Sequence, residues 1–153
     1  MNSFSVELLD SIVNGTWSVN NDTGLIDVEG DVFIGYDNDT LSNPSVIPFD
    51  FGEVSGDFVC GIKTLIDMSG FPIKTGGRVK MYYNSKLKRL NWNPIEIGIC
   101  LCIDFKYIPK ENYHIIIPEI EELISRGIEL LQPDIFYYPY KDAYYNAKII
   151  ELL

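Results

Sequence analysis

Gly56-Asp57-Phe58-Val59-Cys60 is followed 21 residues later by Gly77-Arg78-Val79-Lys80-Met81, and the same pattern opens at Gly30-Asp31-Val32-Phe33-Ile34 and at Gly98-Ile99-Cys100-Leu101-Cys102. The four glycines are separated by 26, 21 and 21 residues. After each of the first three comes a leucine and, seven residues later, a proline: Leu41 and Pro48, Leu65 and Pro72, Leu87 and Pro94. A fixed offset in consecutive units marks a repeat, and a short period of this kind means coils that stack on one another. Successive strand side chains point to opposite faces. The second and fourth residues after each glycine, Val32 and Ile34, Phe58 and Cys60, Val79 and Met81, Cys100 and Cys102, are all apolar and make the expected inward column. The first and third, Asp31 and Phe33, Asp57 and Val59, Arg78 and Lys80, Ile99 and Leu101, make the outward one. Glycine gives a permissive backbone at the turn into each strand; the leucine closes the core and the proline turns the chain to the next coil.

The flanks are expected to cap this array. Trp17-Ser18-Val19 and Leu25-Ile26-Asp27-Val28, joined across residues 20–24, read as a hairpin, with Phe4 to Val13 a short helix or strand before it. From Pro118 to Leu131, Ile120, Leu123, Ile124, Ile128 and Leu131 share one helical face. Proline in the first turn and the early glutamates suit a helix start, and Gln132-Pro133 ends it. A second helix is expected over Ala143 to Leu153, with both helices packed near Ile99 and Leu101. The expected class is therefore α+β: one domain, with a hairpin cap at 1–29, a solenoid of about four coils at 30–102 and a mainly helical cap at 103–153.

Charge is segregated along the chain. Residues 1–60 carry 11 acidic side chains and no cation, 61–110 carry 9 cations against 3 acids, and 111–153 carry 3 against 8, for a net −10. Stacked repeats keep sequence neighbours close in space, so a dipolar surface is expected. No apolar run reaches the roughly 18 residues of a membrane span. Three cysteines, an odd number, and an N-terminus without a basic n-region point to a reducing, cytoplasmic setting. The Asn-x-Thr triplets at Asn14, Asn21 and Asn38 then read as turn chemistry.

The run Ile47-Pro48-Phe49-Asp50-Phe51-Gly52-Glu53-Val54-Ser55-Gly56-Asp57-Phe58-Val59-Cys60, with Leu65, Gly70-Phe71-Pro72, Gly76-Gly77, Asn84 and Leu87, resembles the leucine-rich-repeat-like proteins of tailed bacteriophages. The lead-in Ile26-Asp27-Val28-Glu29-Gly30-Asp31-Val32 is similar to that family's entry strand. The resemblance covers about residues 17–102 and implies a leucine-rich-repeat-like solenoid, a phage-encoded origin and an interaction scaffold. The chain departs from the family in having few units and no Asn after Cys60.

Several constellations bear on chemistry. Cys60, Cys100, Cys102 and His114 lack the spacing of a zinc site, and the inward column accounts for the cysteines as small hydrophobes, so no metal or cofactor is expected. Asp37-Asn38-Asp39 begins like a calcium loop but has Ser42 and Pro48 where Gly and Glu are required. Lys74, Arg78, Lys80, Lys86, Lys88 and Arg89, interleaved with Tyr82, Tyr83 and Trp92, form a basic patch suited to nucleic acid or to balancing the acidic coils. Asp27, Asp31, Phe33, Asp57 and Val59 form an acidic interaction face able to steer a basic partner. The aromatic cluster Phe136, Tyr137, Tyr138, Tyr140, Tyr144 and Tyr145 suits an interface or helix packing. No nucleophile, base and orienting group assemble around His114, so the chain does not read as an enzyme. The expected function is a small acidic phage-type interaction protein that inhibits or redirects a host or phage macromolecule. A nucleic-acid-binding module using residues 74–92 is the alternative, and an enzyme built on the C-terminal region the second alternative.

Overall fold

Asn2 starts the first helix with its side chain, since the Ser5 N–H donates to Asn2 Oδ1 at 2.8 Å. The helix α1, Ser3–Ile12, buries Leu8, Leu9 and Ile12. It passes directly into strand β1, Val13–Val19, and the Trp17 indole N–H ties the two together by donating to Asp10 Oδ1 at 2.8 Å. Asn20 then organises the turn: its Oδ1 accepts the N–H groups of Asp22 and Thr23, and its carbonyl accepts that of Gly24. Strand β2, Ile26–Ile34, returns antiparallel to β1. The structure, a computed structural model, describes residues 1–35 and 44–131. Leu41, the Asp37-Asn38-Asp39 turn, the aromatic cluster at 136–145 and the expected helix at 143–153 lie outside those residues.

The free edge of β2 starts two parallel lanes. Strands β3, Phe51–Val54, and β4, Phe58–Cys60, both pair with β2. On them stack β5, Lys74–Thr75, and β6, Val79–Met81, and then β7, Glu96–Ile97, and β8, Leu101–Ile103. The last strand among the described residues, β9, Leu130–Leu131, pairs with β8. The result is a parallel β-solenoid of about three turns followed by a helix near its C-terminal end. The return segments bring Leu65 and Leu87 into the core with no exposure. They are bonded between coils by Ile66 N–H to Ser45 O and Lys88 N–H to Ile66 O. A chain of aromatic rings, Phe49, Phe51, Phe58, Phe71 and Trp92, runs through the stack with successive centroids 4.9 to 6.1 Å apart.

Two boundaries differ from the sequence reading. The helix α2 spans Tyr113–Ser125, so Pro118 sits inside it rather than in its first turn. Its buried stripe is Tyr113, Ile116, Ile117, Ile120 and Leu123, while Ile124 is exposed. Gly127, at φ +90°, closes it in the left-handed conformation typical of helix ends, and Leu130 and Leu131 belong to a strand. The fourth coil is also shifted. Val32, Phe58, Val79 and Leu101 are in register, a spacing of 26, 21 and 22 residues, so Leu101 and Ile103 point inward and Cys100 and Cys102 do not. Gly98 aligns with Gly76, and Ile99 takes the row of Gly30, Gly56 and Gly77: the Ile99 N–H donates to Gly77 O, as Gly77 N–H does to Gly56 O.

The reason lies at the bend between the lanes, where the sheet ladder is interrupted and backbone N–H groups need another acceptor. Aspartates of the preceding coil supply it. At the bend Asp31 Oδ1 accepts from Asp57 N–H and Asp57 Oδ1 from Arg78 N–H, each at 2.7 Å, and Asp27 Oδ1 does the same at 2.9 Å for Glu53 N–H within β3, where the register of β3 on β2 shifts. Glycine precedes each of these amides because the carboxylate needs the room. A Cβ on Gly56 would fall on Asp31 Oδ1 and lie 2.6 Å from Gly30 O, and one on Gly77 would fall on Asp57 Oδ1 and lie 2.8 Å from Gly56 O, so the carboxylate is the nearer of two obstacles. Neither glycine has a positive φ, so their requirement is space rather than the permissive backbone the sequence suggests. Arg78 offers no carboxylate to the next coil, and there Ile99 can carry a side chain.

This clamp makes a quantitative expectation. Asp57→Ala strands the Arg78 N–H and is expected to cost about 1–3 kcal/mol in chemical denaturation. Asp57→Asn keeps a neutral acceptor and falls between that variant and the wild type. Gly77→Ala is destabilising by about 1–3 kcal/mol through the clash, and is less so in an Asp57→Ala background. Additive single effects in that double-mutant cycle would show that the carboxylate is not what excludes the side chain.

Candidate interaction surface

The outward face of the sheet collects the charges in rows. In β2 the outward positions are Asp27, Glu29, Asp31 and Phe33, and β1 places Ser18, Thr16 and Asn14 opposite the first three. Parallel register then sets Glu53 beside Lys74 and Lys74 beside Glu96. In the second lane, Phe33, Val59, Lys80 and Cys102 form one row. One position earlier lie Asp31, Asp57, Arg78 and Cys100. The acidic strands β2 to β4 therefore border the basic strands β5 and β6 on one face. Over the first lane this face holds a cleft of about 540 Å³ lined by Thr16, Ser18, Glu29, Glu53, Ser55 and Lys74, among others.

The residues of the expected acidic face are thus brought to one surface, but they do different work. Asp27, Asp31 and Asp57 are half-buried and occupied by the backbone of the next coil; Asp27 Oδ2 also accepts from Asn20 Nδ2 at 2.9 Å. Val59 is buried, whereas Phe33 is 43 % exposed. The exposed carboxylates of this region are Glu29 and Glu53, whose positions the alternation within β2 and β3 makes readable only once the register is known. Lys74 Nζ stands 3.9 Å from Glu53 and 4.0 Å from Glu96, exposed pairs that contribute little to stability.

The basic patch is distributed over two parts of the coil. Lys74, Arg78 and Lys80 belong to β5, β6 and the bend between them, while Lys86, Lys88 and Arg89 belong to the return segment. Arg89 Nε lies 3.7 Å from Glu119 Oε1. The aromatics between them pack inward in part: Tyr82 is buried, and Trp92 ends the aromatic chain and donates its indole N–H to Pro72 O at 2.9 Å. Glu119, on α2, escaped the sequence reading. Its Oε2 accepts the N–H groups of Leu90 and Asn91 at 2.7 and 3.2 Å and seats the helix on the last return segment. His114 is exposed at the start of α2. Among the described residues no group of three His, Cys, Asp or Glu is placed to hold a metal ion. No described helix is long and apolar enough to cross a membrane.

None of the three cysteines, all buried, is joined in a disulfide. Cys60 lies in the core column, and burial pushes its thiol up to about 12. Cys100 and Cys102 sit on the other face of β8 with their sulfurs 3.6 Å apart. The hydrogen bond with Cys102 holds the Cys100 thiol below its ordinary value, with Arg78 and Lys80 assisting and burial and Glu129 opposing. Comparison of the chain with protein-family models, with curated proteins and with solved structures gives no match.

Cys60 gives a pH expectation whose sign follows from its burial. The folded thiol ionises near 12 and the unfolded one near 9.0, so its contribution to stability is complete below about pH 9 and is lost as pH rises towards 12. Native protein at pH 8 should leave Cys60 unlabelled by iodoacetamide, identified by peptide mass, until denaturant is added. Rapid labelling of Cys60 in the native state would contradict its placement.

Proposed function

We propose that this chain is a small recognition protein, without catalytic activity, that binds a host or phage protein through the outward face of its sheet and so inhibits or redirects it. The observation that carries this reading is the border between acidic β2–β4 and basic β5–β6 on one face. Neighbouring strands are about 4.8 Å apart, so the charge changes sign within a single strand spacing. Such a face favours a partner with the reverse arrangement, mainly cationic to match the larger acidic part, and steers its approach. Phe33, exposed beside the carboxylates, supplies an apolar contact of the kind that anchors interfaces. A nucleic acid fits less well, because Glu53 and Glu96 flank Lys74 and the whole chain carries −10.

The remaining elements fit the same reading. With β2 as the first coil the array has four, capped by α1 and the β1–β2 hairpin at one end and by α2 at the other. The likeness to leucine-rich-repeat-like phage proteins supplies the phage-type origin and the host or phage partner. Buried cysteines that are not joined in disulfides suit a reducing cytoplasm.

The test separates binding from folding. Glu29→Lys, Glu53→Lys and Phe33→Ala change side chains that hold no backbone group, so the combined variant is expected to keep the wild-type circular dichroism. In pull-downs from bacterial lysate the wild type should retain a basic protein that elutes with added salt, and the variant should retain at least tenfold less of it. Equal recovery by both, or a salt-sensitive gel shift with DNA or RNA that Lys80→Glu abolishes, would overturn the proposal.

A further inference from the structure

We propose that β7 is a docking edge for an extended segment of a partner protein, one that sets a lysine or arginine between two apolar side chains. The C-terminal end of the solenoid is stepped. In the second lane β9 lies on β8. In the first lane β7 pairs with β5 and ends the order of strands, with no further strand on it among the described residues. An open edge offers main-chain groups to an added strand, and strand addition is a recurrent mode of peptide recognition. This site lies at the end of the stack and stands independently of the outward face proposed above.

The rows of the first lane define the occupant. Ile73, whose carbonyl accepts the Ile95 N–H at 2.7 Å, is half-buried. Ile95 itself is 79 % exposed, more than any other large apolar side chain among the described residues, and Ile99 just beyond β7 is exposed as well. An apolar residue of the added strand would cover Ile95 as Ile95 follows Ile73. In the next row Glu53, Lys74 and Glu96 alternate in sign from strand to strand. Opposite charges on neighbouring strands attract, so the position after Glu96 calls for a cation. Ile97 continues the buried column of Val54 and Thr75, and the position after it calls for an apolar residue again. Apolar, cationic, apolar is the alternation of a strand. A second copy fits less well, because pairing β7 with its counterpart brings two Glu96 carboxylates onto one short ladder.

The probe is a short synthetic peptide of alternating valine and lysine, blocked at both ends and followed by fluorescence anisotropy with the full chain at physiological salt. The wild type should bind it. The same peptide N-methylated at every backbone nitrogen keeps its charge but cannot complete a ladder, and should bind about tenfold less tightly or worse. Ile95→Lys combined with Glu96→Lys changes two exposed side chains, so the variant should keep the wild-type circular dichroism. It should weaken binding of the parent peptide by about tenfold. Glu29→Lys should leave binding within about twofold, since Glu29 lies at least three strand spacings, about 14 Å, from Glu96 and beyond the screening length. Failure of the edge and failure of the outward face are thereby read separately. The proposal is overturned if the wild type does not bind the peptide, the outcome of an edge already filled by the chain's own residues. Equal binding of the methylated peptide, or equal binding by the double variant, also overturns it. So does a wild-type dimer in sedimentation that the double variant converts to monomer, which would make a second copy the occupant. The two peptides compared on the wild type decide the matter should the variant fail to fold.

Discussion

The solenoid depends on what accepts the backbone N–H groups where each coil bends between its two strands. A continuous parallel ladder would satisfy them, but the bend breaks the ladder at Ser55-Gly56-Asp57 and again at Gly76-Gly77-Arg78. An unpaired amide there would cost about 1–3 kcal/mol. Asp31 and Asp57 meet that need with charge-assisted bonds of 2.7 Å reaching from one coil into the next. Each such bond imposes a second condition, that the residue before the amide has no side chain. Aspartate in one coil and glycine in the next are therefore a single unit of the fold, and part of the acidity of the first 60 residues is structural.

The same logic explains where the array changes. Arg78 carries no acceptor, so the following coil is released from the glycine requirement, takes one more residue and places Ile99 in the glycine row. Beyond it, a carboxylate again completes the backbone, now from a helix: Glu119 holds the N–H groups of Leu90 and Asn91, the latter at φ +49°. Asn112 adds a bond from its side-chain amide to Leu87 O at 3.0 Å. The C-terminal helix is thus fixed to the last return segment by polar bonds as well as by Ile116, Ile117 and Ile120 in the core.

Much of this was legible because periodicity reports burial. Alternation identified the inward residues of three coils correctly, and the leucine spacing located Leu65 and Leu87 in the core. At the fourth coil glycine spacing is a misleading ruler. Gly98 matches the spacing of Gly77 but lies in the row of Gly76, and only the hydrogen-bond partners distinguish the two rows. A one-residue slip exchanges the faces of a strand, and cysteine is apolar enough to suit the core column, so Cys100 and Cys102 lie on the face opposite to the one glycine spacing gives them. The helix was displaced for a comparable reason: Pro118 resembles a first-turn proline, whereas the apolar stripe already begins at Tyr113.

For recognition, the decisive division is between carboxylates that hold coils together and carboxylates that face outward unengaged by the backbone. Asp31 and Asp57 each give one oxygen to an amide of the next coil, so replacing either would alter folding and binding together. Glu29 and Glu53 occupy the same face with their side chains exposed, and Glu53 has only a weak pair with Lys74. A partner that reads this surface can therefore vary with the glutamates and Phe33 while the aspartates stay constant. The scaffold and the proposed contact surface thus use different acidic residues, although both contribute to the same negative field. That separation lets a single strand, β2, be at once the template for the solenoid and the edge of the proposed binding face.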